Sequence, residues 1–242
     1  MQTKSPLGNI SIVLVDTKTP ANIGAVARGM MNMGLSRLVL VNPPEDRDSE
    51  ARKLAAGADD ILGRAAVFST LREAVADQGL VIGASRHRSR RRTNVHSPRE
   101  TAEQAAPLLE RNKVSLVFGN EVNGLENSDI ALCHELVAIP SSEQFPSLNL
   151  SHAVMVVMYE FLAATMTGER LEARELAPVG ELERFYAHLR DNLLRTGFIN
   201  DRNAEDMMFS LRQVFGRARL DSREVSILQG VLSALEGRAK RD

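Results

Sequence analysis

The chain has 242 residues, 43% of them hydrophobic and 25% charged, the balance of a folded globular protein long enough for one large domain or a domain with an appendage. A formal net charge of −1 excludes a globally basic nucleic-acid binder, so any such affinity has to come from a local patch. The single cysteine, Cys133, excludes an internal disulfide framework and reads as a buried structural thiol; with no zinc-ligand spacing, no apolar run of membrane-span length and no leader-like start, no metal, no membrane contact and a cytoplasmic protein are expected.

In chain order, short apolar runs alternate with helical patterns: ISIVLV, NIGAVARGMMNMG, LVLVN, SEARKLAAGA, AVF, TLREAVAD, LVIGA, a loop, SLVFG and ELVAIP. Strand runs without polar alternation indicate burial on both faces, and their alternation with helices indicates an α/β fold with a mostly parallel sheet. A long helix is expected from about residue 149 to 165; its sequence SHAVMVVMYEFLAAT reads as buried all round. Residues 1–166 form the first domain on this reading. The charged, Pro- and Gly-containing stretch 167–179 reads as a linker. Beyond it Leu182, Phe185, Tyr186, Leu189, Leu193 and Leu194 recur at helical spacing. Two more helices follow, the last with an Asp221-Ser222 cap and Glu224 in its first turn, so residues 180–242 are expected to form a small all-α domain.

Four stretches carry candidate chemistry. In TPANIGAVARGMMNMG a glycine-containing turn after the first strand opens a helix, a place where α/β proteins bind anionic ligands, although the dinucleotide fingerprint G-x-G-x-x-G is absent and a nicotinamide enzyme is thereby disfavoured. Asn22 has a capping role open to it, and Arg28 is either a snorkelling surface arginine or a site cation. SLVFGNEVNGLENSDI runs from a buried strand into a turn dense in Gly and Asn, where Glu121 is either a solvated charge or a site carboxylate. RHRSRRRTN sets five arginines within residues 86–92 after a strand, a dense phosphate-binding surface. In VAIPSSEQFPSLNL, Ser147 and Asn149 stand at the mouth of the long helix, where capping alone explains one of them. An aromatic content of 4% without Trp argues against a stacking platform for single-stranded RNA.

Together, in this order, "NIGAVAR", "FGNEVNGL" and "IP…SLNLSHA" resemble the three motifs of the SPOUT class of S-adenosylmethionine-dependent RNA ribose 2′-O-methyltransferases, over residues 8–166. The resemblance is nearest to the bacterial branch that methylates a cytidine or uridine ribose in the tRNA anticodon loop, whose helical extension "ERFYAHLRDNLLRTGFI" also resembles. It implies a C-terminal trefoil knot, a homodimer with sites built from both subunits, S-adenosylmethionine as cofactor and the anticodon region of tRNA as partner. It further implies that Ala84, Ser85, Arg86, Gly119, Ile139, Pro146, Ser147 and Leu148 hold the cofactor. Arg28 is implied as the essential residue at the ribose hydroxyl, with Asn22, Glu121, Ser147 and Asn149 orienting the reactants. Arg88, Arg90, Arg91 and Arg92, together with the helical domain, are expected to bind RNA phosphates, leaving cofactor binding to the first domain. That branch carries arginine where this chain has Asn120, and the Asn version is common in neighbouring tRNA and ribosomal RNA ribose methyltransferases. A ribosomal RNA enzyme and a non-catalytic RNA-binding scaffold are therefore the competing readings.

Overall fold

Seven strands form one parallel sheet in a computed structural model whose described residues are 6–85, 94–166 and 174–239. The strands are β1 (Ile10–Val15), β2 (Arg37–Val41), β3 (Ala66–Phe68), β4 (Leu80–Ala84), β5 (Val95–His96), β6 (Val114–Phe118) and β7 (Glu135–Val137). Their spatial order is β3-β2-β1-β6-β4-β7-β5, and each pairing is parallel. All residues of β1, β6 and β7 are buried, as their Val, Ile and Leu runs require of strands covered on both faces. AVF is a strand as expected, β3, but at the sheet edge it is not buried on both faces, and Val67 is exposed.

Helices α1 (Pro20–Asn32), α2 (Asp48–Ala55), α3 (Asp59–Gly63), α4 (Leu71–Val75), α5 (Pro98–Ala105), α6 (Asn127–Ile130) and α7 (Leu150–Met166) cover the sheet. α1 begins with Pro20 just inside Thr19, where the missing N–H costs nothing. Gly24 of "NIGAVAR" does not form the glycine turn expected at a ligand. It lies inside α1, where an added Cβ would stand 2.0 Å from the Ala51 carbonyl oxygen, so its work is to let α1 and α2 touch. Cys133 is buried as expected, its Sγ filling the space that Gly83 leaves open.

Two further expectations are corrected. The stretch between LVIGA and SLVFG is not only a loop: after the undescribed residues 86–93 come β5, α5 and a 3-10 turn at Ala106–Glu110. The start signal was there to read, since Ser97 and Glu100 form a capping box around Pro98. Nor is α7 buried all round. Leu150, Val154, Val157, Met158 and Phe161 face the core, while Val156, Tyr159 and Met166 are exposed, a split that an almost uniformly apolar helix hides in sequence.

The C-terminal region contains α8 (Val179–Arg195), α9 (Ala204–Ala218) and α10 (Ser222–Ala239). Leu182, Phe185 and Tyr186 are buried in its own cluster, with Leu189, Leu193 and Leu194 packed around them, as the helical spacing predicts. Asp221 caps α10 in a reciprocal exchange with Glu224. Residues 174–179, read as linker, are anchored: the buried Asn112 accepts from Leu176 N–H at 2.7 Å and donates to the Arg174 carbonyl at 2.8 Å, and Leu176 joins the core under the sheet. Arg72 on α4 and Arg212 on α9 converge on Glu183 of α8, and the Arg212 guanidinium lies 4.3 Å over the Tyr186 ring.

Candidate active site

The C-terminal ends of β4, β6 and β7 open into a cavity of about 370 Å³, the place where parallel α/β sheets present loops to ligands. Its wall includes Ala84, Ser85, Gly119, Ile139, Pro146, Ser147 and Leu148, all the described residues expected to hold the cofactor. Arg86 lies outside the described residues, as do Arg88, Arg90, Arg91 and Arg92. Phe118 and Val137 at strand ends, Leu125 in the loop after β6 and Ile130 on α6 also line the cavity; as apolar residues they read like core in sequence.

The loop after β6 is closed on itself. The Asn120 side-chain oxygen accepts from the N–H groups of Val122 and Asn123 at 3.0 and 2.8 Å, and its carbonyl accepts from Gly124 N–H. Gly124 has φ +72°, and a Cβ on Gly119 would fall 2.0 Å from the Gly124 carbonyl carbon. The glycines thus serve the fold of the loop that lines the cavity.

Three segments distant in sequence meet beside this loop. Glu121 accepts from Lys18 N–H at 2.9 Å, Thr19 N–H at 3.1 Å and the Asn22 amide at 2.8 Å. Asn22 in turn accepts from the Asn149 amide at 3.1 Å. Asn149 also caps α7, its side-chain oxygen taking the Ser151 N–H and hydroxyl. Glu121 is therefore no merely solvated charge: it sits at the positive N-terminal end of α1. Burial pushes its carboxyl up, but the Lys18, Asn22 and Thr19 donors outweigh this and hold it below its ordinary value. The backbone donors of Lys18 and Thr19 carry no sequence signal.

Arg28 is not part of this group. It is exposed on α1, outside the wall of its own chain's cavity, and makes no ion pair among the described residues. It lies six positions beyond Asn22, about 9 Å along the helix axis. Of the five expected catalytic residues, the structure joins Asn22, Glu121 and Asn149 by hydrogen bonds, sets Ser147 in the cavity wall and leaves Arg28 apart.

A family model described as the SpoU rRNA Methylase family matches residues 9–159, and one described as the C-terminal domain of the tRNA methyltransferase TrmJ matches residues 180–242. The chain is 43% identical over 240 residues to the tRNA (cytidine/uridine-2′-O-)-methyltransferase TrmJ of Escherichia coli (strain K12), covering 97% of this chain and 98% of the relative. The chain belongs to the SpoU methylase family, in its TrmJ group. Within that group, the crystal structure of TrmJ from Z. mobilis ZM4 is 36% identical with a TM-score of 0.78, covering 93% of this chain and 98% of that one. The SpoU fold extends to AviRb from Streptomyces viridochromogenes in complex with AdoMet, 20% identical with a TM-score of 0.52 over 65% of this chain and 61% of that one. The SpoU match covers the parallel sheet, and the TrmJ C-terminal match covers the added helical region. No described helix is long and apolar enough to cross a membrane, and among the described residues no cluster of His, Cys, Asp or Glu could hold a metal.

Proposed function

We propose that this chain methylates the 2′-hydroxyl of a cytidine or uridine ribose in the tRNA anticodon loop, using S-adenosylmethionine and acting as a homodimer. The observation that carries the reading is the Glu121–Asn22–Asn149 chain, which ties all three motif segments to the rim of one cavity. The cavity suits the cofactor: Leu125, Ile130, Val137 and Ile139 offer apolar surface for a base, and Ser85, Asn120 and Ser147 offer polar groups. Ala84, Ser85, Gly119, Ile139, Pro146, Ser147 and Leu148 would hold it, in large part through backbone groups.

When bound, S-adenosylmethionine supplies an electrophilic methyl carbon on a sulfonium sulfur. The protein's task is then chiefly positioning, with reacting atoms in line at roughly 3 Å. Ser147, in the cavity wall, would hydrogen-bond the ribose hydroxyl, and the Glu121–Asn22–Asn149 chain would fix the loops around it. Arg28 would act as a cation at the neighbouring phosphate, easing loss of the hydroxyl proton to solvent as the methyl is transferred.

The position of Arg28 outside its own cavity supports a dimer in which each chain lends Arg28 to its partner's cavity. The exposed apolar face of α7, with Val156, Tyr159 and Met166, and the exposed Met31 on α1 offer the surface for it. In this reading residues 1–166 carry the chemistry, residues 167–179 connect, and residues 180–242 engage RNA along with the arginines at 86–92. The interleaving of β6 between β1 and β4 and of β7 between β4 and β5 is compatible with the knot expected of the family. Ribosomal RNA is the competing substrate, and the match of residues 180–242 to the TrmJ C-terminal domain favours tRNA.

The test is transfer of labelled methyl from S-adenosylmethionine to purified tRNA and, separately, to ribosomal RNA, with the mark placed by nuclease digestion and mass spectrometry. A 2′-O-methyl pyrimidine in the anticodon loop is expected; incorporation into ribosomal RNA alone would reassign the substrate. Cofactor binding with no incorporation into either would favour the scaffold.

A further inference from the structure

The helical region reaches the cofactor cavity through one buried charge. Glu135 opens β7 and is 2% exposed, deep between β4 and β5. Its carboxylate takes both its hydrogen bonds from Arg219 Nη2, at 3.1 and 3.2 Å, across 84 residues of sequence, and has no other partner among the described residues. Arg219 stands at the C-terminal end of α9 with φ +48°, a left-handed conformation uncommon for a side chain of its size, and also contacts the Gln104 side chain and carbonyl on α5. One turn earlier, Gly216 lies against the His134 backbone, where an added Cβ would come within 3.1 Å of the carbonyl oxygen. Two residues beyond Glu135, Val137 forms part of the cavity wall, and Ile139 follows it.

A carboxylate taken out of water without a cation is costly, and a strand carrying one is drawn toward solvent. We propose that Arg219 is a positioning residue for the cofactor site: by neutralising Glu135 it allows β7 to seat between β4 and β5 and so present Val137 and Ile139 to the cavity. The helical region is then more than an RNA-binding appendage, against the division of labour expected from sequence. The inference rests on the reading that the cavity binds S-adenosylmethionine.

The experiment is calorimetric titration of the full-length chain with S-adenosylmethionine, alongside thermal unfolding. Wild-type protein that failed to bind would overturn the cofactor reading and the brace with it. With wild-type binding in hand, Arg219→Ala is expected to bind about tenfold more weakly, because the buried carboxylate is left uncompensated, and the double variant Arg219→Ala with Glu135→Gln to recover to within about threefold of wild type. An Arg219→Ala protein that melts earlier but binds cofactor as tightly as wild type would show a purely structural pair and overturn the proposal, as would a double variant no better than the single one. Should Arg219→Ala not fold, Arg219→Lys and Arg219→Gln decide: lysine keeps the charge and is expected to bind within about threefold of wild type, glutamine loses it and is expected to bind about tenfold more weakly, and equal binding by the two would overturn the proposal.

Discussion

The side-chain amide of Asn22 donates to the carboxylate of Glu121 at 2.8 Å, although 99 positions separate them in the chain. The other end of the same amide accepts from Asn149, so one residue fixes the relative placement of the loops after β1 and β6 and of the start of α7.

This double use ranks two substitutions. Asn22→Ala removes both bonds and is expected to lower the methyl-transfer rate about tenfold, the loss of positioning by one hydrogen bond to a carboxylate and one between amides. Asn22→Asp keeps the acceptor for Asn149 but sets a second carboxylate against one held ionised by its N–H donors, so a fall nearer a hundredfold is expected from like-charge repulsion. Single-turnover transfer to tRNA measures both. Asp milder than Ala would mean that Glu121 is not an ionised anchor.

The motif glycines separate in their effects. Gly119→Ala drives a Cβ into the Gly124 backbone of the loop lining the cavity, and Gly24→Ala drives one into the Ala51 carbonyl between α1 and α2. Each is expected to cost about 3 kcal/mol or more in stability, the upper range for overpacking. Only Gly119→Ala should also abolish cofactor binding while the chain is folded. Calorimetry at a temperature where both variants remain folded distinguishes them, and equal loss of binding in the two would contradict the assignment of Gly24 to helix packing.

Acid should destabilise the fold through His134. Its Nδ1 accepts from Val81 N–H at 3.0 Å, so the folded chain requires a neutral ring. Burial first, then the Arg219 and Arg212 charges, push its pKa from 6.5 down to about 4. Between those values the unfolded chain holds the extra proton, so this contribution is complete above pH 6.5 and is lost as pH falls toward 4. His134→Asn keeps an acceptor in place of Nδ1 without titrating. Its melting temperature should fall less steeply than the wild-type value between pH 7 and pH 5; parallel slopes would remove His134 as the cause.

A dimer that shares Arg28 makes a complementation prediction. Arg28→Ala should retain cofactor binding and lose transfer by a hundredfold or more, about 3 kcal/mol of transition-state stabilisation. Ser147→Ala should also be impaired. Mixing the two should restore up to about one quarter of wild-type activity, because half of the chains form mixed dimers and each mixed dimer has one intact site. Tyr159→Asp, on the exposed face of α7, should shift the protein to monomer in sedimentation and prevent rescue. Failure to complement between folded, dimeric variants would place Arg28 in service of its own chain.

How far the sequence discloses this depends on whether a feature is carried by side-chain pattern. β1, β4 and β6 were legible because unbroken Val, Ile and Leu runs suit only strands covered on both sides. α8 was legible because its apolar residues recur on one face. α5 was missed because its polar composition hides a helix that a Ser97-Pro98-Glu100 start announces. The motif order placed Asn22, Glu121 and Asn149 in one site, and their contacts follow. The donors at Lys18 and Thr19 are backbone groups that any residue would supply, and the separation of Arg28 from its own cavity depends on where α1 runs beyond Asn22. Neither is written in residue type. The Arg219–Glu135 pair was equally hidden, since each residue alone reads as a surface charge.

The anchoring of Glu121 has a consequence for how the protein responds to salt. Its partners are N–H groups of neutral units, and the next link, Asn22 to Asn149, joins two amides, so the chain contains no pair of opposite ions. Contacts to RNA phosphates weaken steeply with ionic strength through counterion release, whereas hydrogen bonds to neutral donors such as these involve no ion pair for salt to screen. Raising salt should therefore strip the nucleic acid from the protein while leaving the organised cavity rim, and cofactor affinity, nearly as before. Ionic strength becomes a dial that uncouples grip on the substrate from readiness of the site.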